Sequence, residues 1–237
     1  MKVLIYGLQS SGASLVTYFL AQKNNSIAIT DLFNCGVAPN LDSIKEVDNL
    51  FVKCTVNSKI QLEKHIASFK PDKVILVVRN PFDNYVSLIN KWYGSKNSSV
   101  EDKFKTLEKY FSNYHFDLIL RYEDLIYNKS RVIKQLKKFG IKVKKEYYEF
   151  RKNKEEIFKF NSKHLKKLNI GNFYGGGNIH PYFKKIKIDS SLVSKKITNK
   201  QKEKVRELCP KLCRYYEKKK KNIFSRFFNN LIRFHQV

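Results

Sequence analysis

Residues 3–14 read Val-Leu-Ile-Tyr-Gly-Leu-Gln-Ser-Ser-Gly-Ala-Ser, and this stretch decides the fold. The apolar start, residues 3–7, is typical of a strand buried in a parallel sheet. Apolar side chains recur at helical spacing over residues 14–22, so a glycine-containing turn joins a strand to a helix. Such a turn presents backbone N–H groups and a helix N-terminus at one point, a geometry that binds phosphate. For this segment alone, an ordinary turn without a ligand is the alternative.

The rest of the chain alternates short apolar runs with helical patterns, as expected of βαβ units around a mostly parallel sheet. Further strands are predicted at residues 26–30, 51–56, 73–78 and 117–120, and helices at 60–69, from 81 onward, and at 100–114, 130–139 and 198–218. The most hydrophobic run, residues 73–78, predicts a central strand. The predicted fold class is therefore α/β, a three-layer P-loop fold with a central, mostly parallel sheet and a basic C-terminal helical extension.

The size and composition indicate one domain with an excess of positive charge. The 237 residues include 47 Lys and Arg against 21 Asp and Glu, a net charge of +26. Up to Leu118 there are 14 basic and 11 acidic residues, and beyond it 33 and 10. The 42% hydrophobic content excludes a disordered chain, and no apolar run approaches the ~18 residues that a membrane-spanning helix needs. We expect a domain at residues 1–217 and a basic amphipathic tail at 218–237.

The tail and the cysteines lead to a predicted localisation. Lysines at 218–221 precede apolar residues that share one helical face of the tail, an arrangement that suits an anionic membrane surface. Packing of that face on the domain or on a partner is the alternative. The four cysteines contain no C-x-x-C pair, which favours reduced thiols and no metal site. We expect a cytoplasmic protein whose tail associates peripherally with the inner membrane surface.

A second segment, residues 77–87, reads Val-Val-Arg-Asn-Pro-Phe-Asp-Asn-Tyr-Val-Ser. It places Arg79 at the carboxyl end of the central strand, where open α/β sheets bind their ligands and where a guanidinium can bind an anion bidentately. Ser87 lies about two turns into the following helix and can add a hydroxyl to the same anion. An Arg on a loop and a Ser on the solvent face are the alternative interpretation.

These two segments, followed by Tyr122-Glu123-Asp124-Leu125, resemble the sulfotransferases that use 3′-phosphoadenosine 5′-phosphosulfate (PAPS). That family carries an S-G-[TS]-[TS] turn, an R-[ND]-P motif with a Ser eight residues after the Arg, and a Y-E-D-L segment. Arg79 and Ser87 keep the eight-residue spacing. The resemblance covers residues 3–125 and implies a PAPS-dependent transferase without a metal, whose product is 3′,5′-adenosine bisphosphate.

The resemblance also assigns roles to residues. The turn residues expected to hold the 5′-phosphosulfate are Ser11, Gly12, Ala13 and Ser14, and the preceding Ser10 is expected to belong to the same cofactor site. Arg79 and Ser87 are expected to hold the 3′-phosphate at a second, distant anion site, and Tyr122 to lie near the adenine. The implied reaction transfers a sulfonyl group to a hydroxyl or amine of a carbohydrate, glycolipid or similar acceptor.

The chain departs from the family pattern at two kinds of residue, the basic side chain of the phosphate-binding turn and the histidine that would act as the catalytic base. Many members carry Lys or Arg where this chain has Ser10, so the cation on the leaving phosphate must come from elsewhere. Lys53 resembles the Lys of the family's K-T-H segment and is predicted to supply it, with a solvated strand-edge Lys as the alternative. The His of that segment falls at Thr55, which cannot act as a base near neutral pH.

An acidic or imidazole side chain must then act as the base that deprotonates the acceptor. Asp31 is the best candidate, because we expect it to end the second strand beside the first; a turn cap is the alternative. His65 is expected to be solvated. His180 lies in a glycine-rich loop, residues 175–184, that weakly resembles a late segment of the family, and it would reach the site only after loop closure.

Two other classes of function remain. A P-loop small-molecule kinase shares the turn, but Ala13 occupies the lysine position of the pattern G-x-x-x-x-G-K-[ST]. A nucleic-acid-binding protein would exploit the basic second half. The sequence lacks the interleaved aromatic and basic residues of stacking platforms, which argues against a specific nucleic-acid partner.

Overall fold

The computed structural model describes residues 1–21, 26–32, 37–38, 40–42, 47–91, 94–95, 98–143, 173–174 and 196–218. The elements of the first half are β1 (Lys2–Gly7), α1 (Ala13–Leu20), β2 (Ser26–Ile29), β3 (Asp31–Leu32), β4 (Asn49–Thr55), α2 (Leu62–Phe69) and β5 (Lys73–Val78). Those that follow are α3 (Pro81–Ile89), α4 (Val100–Asn113), β6 (Leu118–Arg121), α5 (Tyr122–Tyr127), α6 (Lys129–Lys138), β7 (Phe173–Tyr174) and α7 (Asn199–Leu208). Residues 210–218 are also helical.

Five parallel strands form the central sheet in the order β2-β4-β1-β5-β6. The α/β prediction is therefore confirmed, and β1 lies at the centre of the sheet between β4 and β5. A separate two-stranded antiparallel pair joins β3 to β7. The expectation that the second strand lies beside the first is wrong, because β4 intervenes between β2 and β1.

Helices cover both faces of the sheet and give it three layers. One apolar cluster packs α2, α3, α4 and α7 against the sheet side chains that include Leu4 and Tyr6. The other packs α1, α5 and α6 against the side chains that include Val3 and Ile5. Successive side chains of a strand point to opposite faces, and both faces of β1 are buried from Val3 to Gly7, which is why this part of the strand lacks charged residues.

Several helix ends follow local signals in the sequence. Asn80 caps α3 by accepting a hydrogen bond from the Phe82 N–H at 3.1 Å, and Pro81 occupies the first helical turn. Gly140, with φ +76°, ends α6 in a Schellman arrangement. Cys209 leaves the helical conformation and separates α7 from the helix at 210–218, because a residue before proline is disfavoured in the α region.

Some predictions lie outside the described residues: Cys35, the loop at 175–184 with His180, and the tail beyond Lys218. Cys54, Cys209 and Cys213 are buried, and none forms a disulfide with another described residue. No helix within the described ranges has the length and apolar character to cross a bilayer.

Candidate active site

The turn between β1 and α1 has the backbone of an anion-binding loop. Gly12 has φ +87°, and Ser10, which is not a glycine, has φ +63°. A Cβ on Gly7 would lie 2.8 Å from the carbonyl oxygen of Val77 and 2.9 Å from Ser11 Oγ, so β5 and the turn itself close on this position. Only a glycine fits at position 7. The left-handed backbone of Ser10 stores local strain of the kind that clusters at ligand sites.

Polar groups without protein partners collect at this turn. The first N–H groups of a helix have no acceptor within the helix, and at the start of α1 no described side chain caps them and no acidic residue lies in the first turn. Gln9 Oε1, Ser10 Oγ and Ser11 Oγ are buried and lack a hydrogen-bond partner within the described part of the chain. Because buried polar atoms are usually paired, the turn has unused hydrogen-bonding capacity that fits an oxyanion such as a phosphate.

Arg79 reaches this turn directly. Its Nη1 donates a hydrogen bond to the carbonyl oxygen of Ser10 at 3.1 Å. It forms no ion pair with any described residue. A guanidinium has five N–H donors, so most of them remain available to an anion. The prediction of two distant anion sites is wrong in its geometry: β5 is the neighbour of β1, and the Arg79 site adjoins the turn.

Tyr122, the first residue of α5, packs on the same turn. A Cβ on Gly12 would lie 2.7 Å from Tyr122 Cε2 and still closer to Cδ2. The Arg79 Cζ atom lies 5.2 Å from the centre of the Tyr122 ring, within range of a cation–π contact. Burial raises the pKa of Tyr122 although Arg79 opposes this, so the phenol is neutral at physiological pH. The three motifs therefore meet at the carboxyl edge of the sheet.

Asn84 is a site residue that sequence reasoning missed. Its Nδ2 donates to the carbonyl oxygen of Gln9 at 2.9 Å, and the side chain is only 1% exposed. The bond ties the second turn of α3 to the turn that follows β1. The available signal was a polar amide on the stripe of α3 that also buries Pro81 and Leu88. Ser87 lies half-buried on the same helix, and its predicted role at the 3′-phosphate stays a prediction.

Lys53 is 5% exposed in β4, so the interpretation of this lysine as solvated is wrong. It lies level with Ile5 of β1, two residues before Thr55, which pairs with Gly7. Because Phe51 belongs to the apolar cluster around α1, alternation along the strand points Lys53 to the same layer. Its assignment as the cation on the leaving phosphate stays a prediction.

Asp31 does not end β2. It begins the short strand β3, where it pairs with Tyr174, and β4 separates β2 from the strand that carries the turn. Its assignment as the catalytic base also stays a prediction.

His65 is buried rather than solvated. The buried residues of α2 are Leu62, His65 and Phe69, so the imidazole lies on the inward stripe. Its Nδ1 accepts a hydrogen bond from the Ala38 N–H at 3.1 Å, and its buried Nε2 has no partner among the described residues. Burial lowers its pKa to about 4, so His65 is neutral near pH 7.

No protein-family model and no curated protein matches the sequence. Among solved structures, the chain is similar to mouse sulfotransferase SULT7A1 complexed with PAP, at 13% sequence identity and a TM-score of 0.48. The match covers 87% of this chain and 82% of that chain. Similarity at this level does not support a conclusion about activity. Any such conclusion must be argued from the residues of the site. The described residues contain no group of three or more His, Cys, Asp or Glu that could hold a metal ion.

Proposed function

We propose that this chain is a sulfotransferase that transfers a sulfonyl group from PAPS to a hydroxyl or amine of a carbohydrate, glycolipid or similar acceptor. The observation that carries the proposal is the position of Arg79, which donates to the Ser10 carbonyl and lies over the ring of Tyr122. Three segments that are far apart in sequence thereby form one anion-binding edge with an aromatic wall.

The donor carries anionic groups at both its 5′ and 3′ positions, so it requires two adjoining anion sites. In our proposal the N–H groups at the start of α1 and the hydroxyls of Ser10 and Ser11 hold the 5′-phosphosulfate. Arg79 and Ser87 hold the 3′-phosphate, and Tyr122 packs against the adenosine. A triphosphate-binding loop would also need a cation where this chain has the buried Ala13.

PAPS would supply the sulfonyl group and leave as 3′,5′-adenosine bisphosphate. The chain's contribution is mainly electrostatic, since fixed N–H groups and a cation stabilise the negative charge that develops on the leaving phosphate. We propose Lys53 as that cation, because it is buried on the α1 side of the sheet. We propose Asp31 as the group that takes the acceptor's proton.

The proposal includes a cytoplasmic location and a tail, residues 218–237, that binds an anionic membrane surface. Its support is the sequence of the tail, in which lysines precede an apolar helical face. Flotation with vesicles that contain phosphatidylserine, with and without residues 218–237, tests it. Flotation that is equal for both forms would refute the membrane role of the tail.

A thermal-shift series tests the enzymatic function. Adenosine 3′,5′-bisphosphate, ATP with Mg²⁺ and duplex DNA are added separately to the wild type, to Arg79→Ala and to the control Arg131→Ala, whose side chain lies on the surface of α6. A ligand at 100 times its Kd adds about 2.7 kcal/mol, which raises the Tm by roughly 5–10 °C for a chain of this size.

We expect that shift for the bisphosphate with the wild type and the control, and its loss with Arg79→Ala. Stabilisation by ATP with Mg²⁺ but not by the bisphosphate would indicate a kinase instead. Stabilisation by DNA alone would indicate a polyanion-binding protein.

A further inference from the structure

The Glu123 carboxylate joins two segments that are distant in sequence. Its Oε1 accepts a hydrogen bond from the backbone N–H of Asn80 at 2.7 Å, and its Oε2 accepts one from the Tyr216 hydroxyl at 3.0 Å. Asn80 directly follows Arg79 and caps α3, so its N–H has no acceptor within that helix. Glu123 therefore fixes the backbone at the residue next to the proposed anion-binding arginine.

Tyr216 is itself held in place. It is 4% exposed, and the Arg121 Cζ atom lies 4.6 Å from the centre of its ring. Arg121 ends β6 level with Val78, the residue before Arg79, and its positive charge interacts with the Glu123 carboxylate. Burial and the neighbouring Glu123 keep the pKa of Tyr216 well above its ordinary value, so its hydroxyl remains a donor at physiological pH.

The helix at 210–218, which carries Tyr216, is anchored to α4. The backbone N–H groups of Lys211 and Leu212 donate to the Glu108 carboxylate at 2.8 and 3.2 Å, which satisfies donors at the start of that helix. Leu212 and Cys213 belong to the apolar cluster on this face of the sheet. The Tyr216 hydroxyl therefore occupies a position set by the core.

We propose that Glu123 and Tyr216 are positioning residues for Arg79. The hydrogen-bond chain from the Tyr216 hydroxyl through the Glu123 carboxylate to the Asn80 N–H sets the direction in which the chain leaves β5. It thereby holds the Arg79 guanidinium over Tyr122, where it can meet a 3′-phosphate. The inference rests on the proposed function, because it assigns Arg79 to the 3′-phosphate of the nucleotide. Neither Glu123 nor Tyr216 is assigned a contact with the ligand.

Two substitutions that nearly preserve the shape of the side chain test this series of hydrogen bonds. Glu123→Gln removes the charge and gives one of the two donors an amide N–H₂ instead of an acceptor. Tyr216→Phe removes only the hydroxyl. Matched controls are Glu203→Gln and Tyr127→Phe, because both side chains are exposed on the surface. Isothermal titration measures the affinity of each protein for adenosine 3′,5′-bisphosphate and for 5′-AMP, which lacks the 3′-phosphate.

We expect Glu123→Gln to weaken binding of the bisphosphate about 10-fold and Tyr216→Phe to weaken it about 3-fold to 5-fold, losses in the range of one ordinary hydrogen bond. Affinity for 5′-AMP stays within about 2-fold in every protein, because 5′-AMP does not engage Arg79. The Asn80 amide proton, observed by NMR in the free protein, moves upfield in Glu123→Gln because it loses its carboxylate acceptor.

The possible failures are distinguishable. If the wild type binds the bisphosphate and both variants bind it equally well, the positioning role is wrong and the proposed function stands. Equal losses for the bisphosphate and 5′-AMP would indicate a general structural role, which overturns positioning of Arg79. A wild type that does not bind the bisphosphate would overturn both the function and the inference.

Discussion

Replacing Gly12 with alanine tests the contact between the turn and Tyr122. With φ at +87°, a side chain at Gly12 is strained in any surroundings, at roughly 1–2 kcal/mol for a left-handed residue. The added Cβ would also lie 2.7 Å from Tyr122 Cε2, well inside van der Waals contact, and such overpacking costs about 1–3 kcal/mol. We expect Gly12→Ala to lower the free energy of unfolding by about 2–5 kcal/mol.

A double-mutant cycle separates the two contributions. Tyr122→Ala removes the ring, so Gly12→Ala in that background should retain only the backbone strain of about 1–2 kcal/mol. Urea unfolding followed by circular dichroism, applied to all four proteins, should give a coupling of about 1–3 kcal/mol between the two sites. Gly140→Ala is the control, because Gly140 has φ +76° and no atom within 4 Å of an added Cβ.

The control should lose about 1–2 kcal/mol whether or not Tyr122 is present. If the costs of Gly12→Ala and Tyr122→Ala add to within about 0.5 kcal/mol, the ring does not contact the turn. The convergence of the first and third motifs would then be wrong. A Gly12→Ala cost equal to that of Gly140→Ala would lead to the same conclusion.

Three further outcomes are expected. Arg79→Lys loses the bidentate guanidinium and should weaken binding of adenosine 3′,5′-bisphosphate about 10-fold to 100-fold, as measured by isothermal titration. An unchanged Kd would exclude Arg79 from the site. Asn84→Leu leaves the Gln9 carbonyl without its donor and should lower the free energy of unfolding, measured in urea, by about 1–3 kcal/mol. An unchanged value would show that this hydrogen bond does not stabilise the fold. His65, with its pKa lowered from 6.5 to about 4, binds its proton more weakly in the folded than in the unfolded chain. Stability should therefore fall by up to about 3 kcal/mol as the pH drops from 6.5 to 4, and urea unfolding of His65→Gln should lack this component; equal pH profiles would contradict it.

Local patterns predicted most of the elements. The run at residues 73–78 became β5 with the expected bounds, and Pro81 begins α3 as predicted, because these signals are carried by neighbouring residues. The prediction that His65 is solvated failed because the inward stripe of α2 was inferred from its apolar residues alone. In the structure Leu62, His65 and Phe69 form that stripe, and the imidazole is accommodated by the Ala38 N–H.

The contacts that shape the site join segments distant in sequence. Glu123 meets Asn80 at a separation of 43 residues and Tyr216 at 93, and Asn84 meets Gln9 at 75. No periodicity or motif contains such a pair, because a side chain's hydrogen-bond partner depends on which strands become neighbours. The predicted separation of the two anion sites failed for the same reason.

The amino-acid sequence alone determined that residues 3–20 form a strand, a turn and a helix. It also identified the R-N-P segment at 79–81 and the tyrosine at 122 as candidate site residues. Tertiary structure decided that β1 lies between β4 and β5, which brings Arg79 next to the turn. The physical reason is that φ preferences and apolar spacing act between near neighbours in the chain. Strand order, in contrast, follows from how all the apolar faces are buried together.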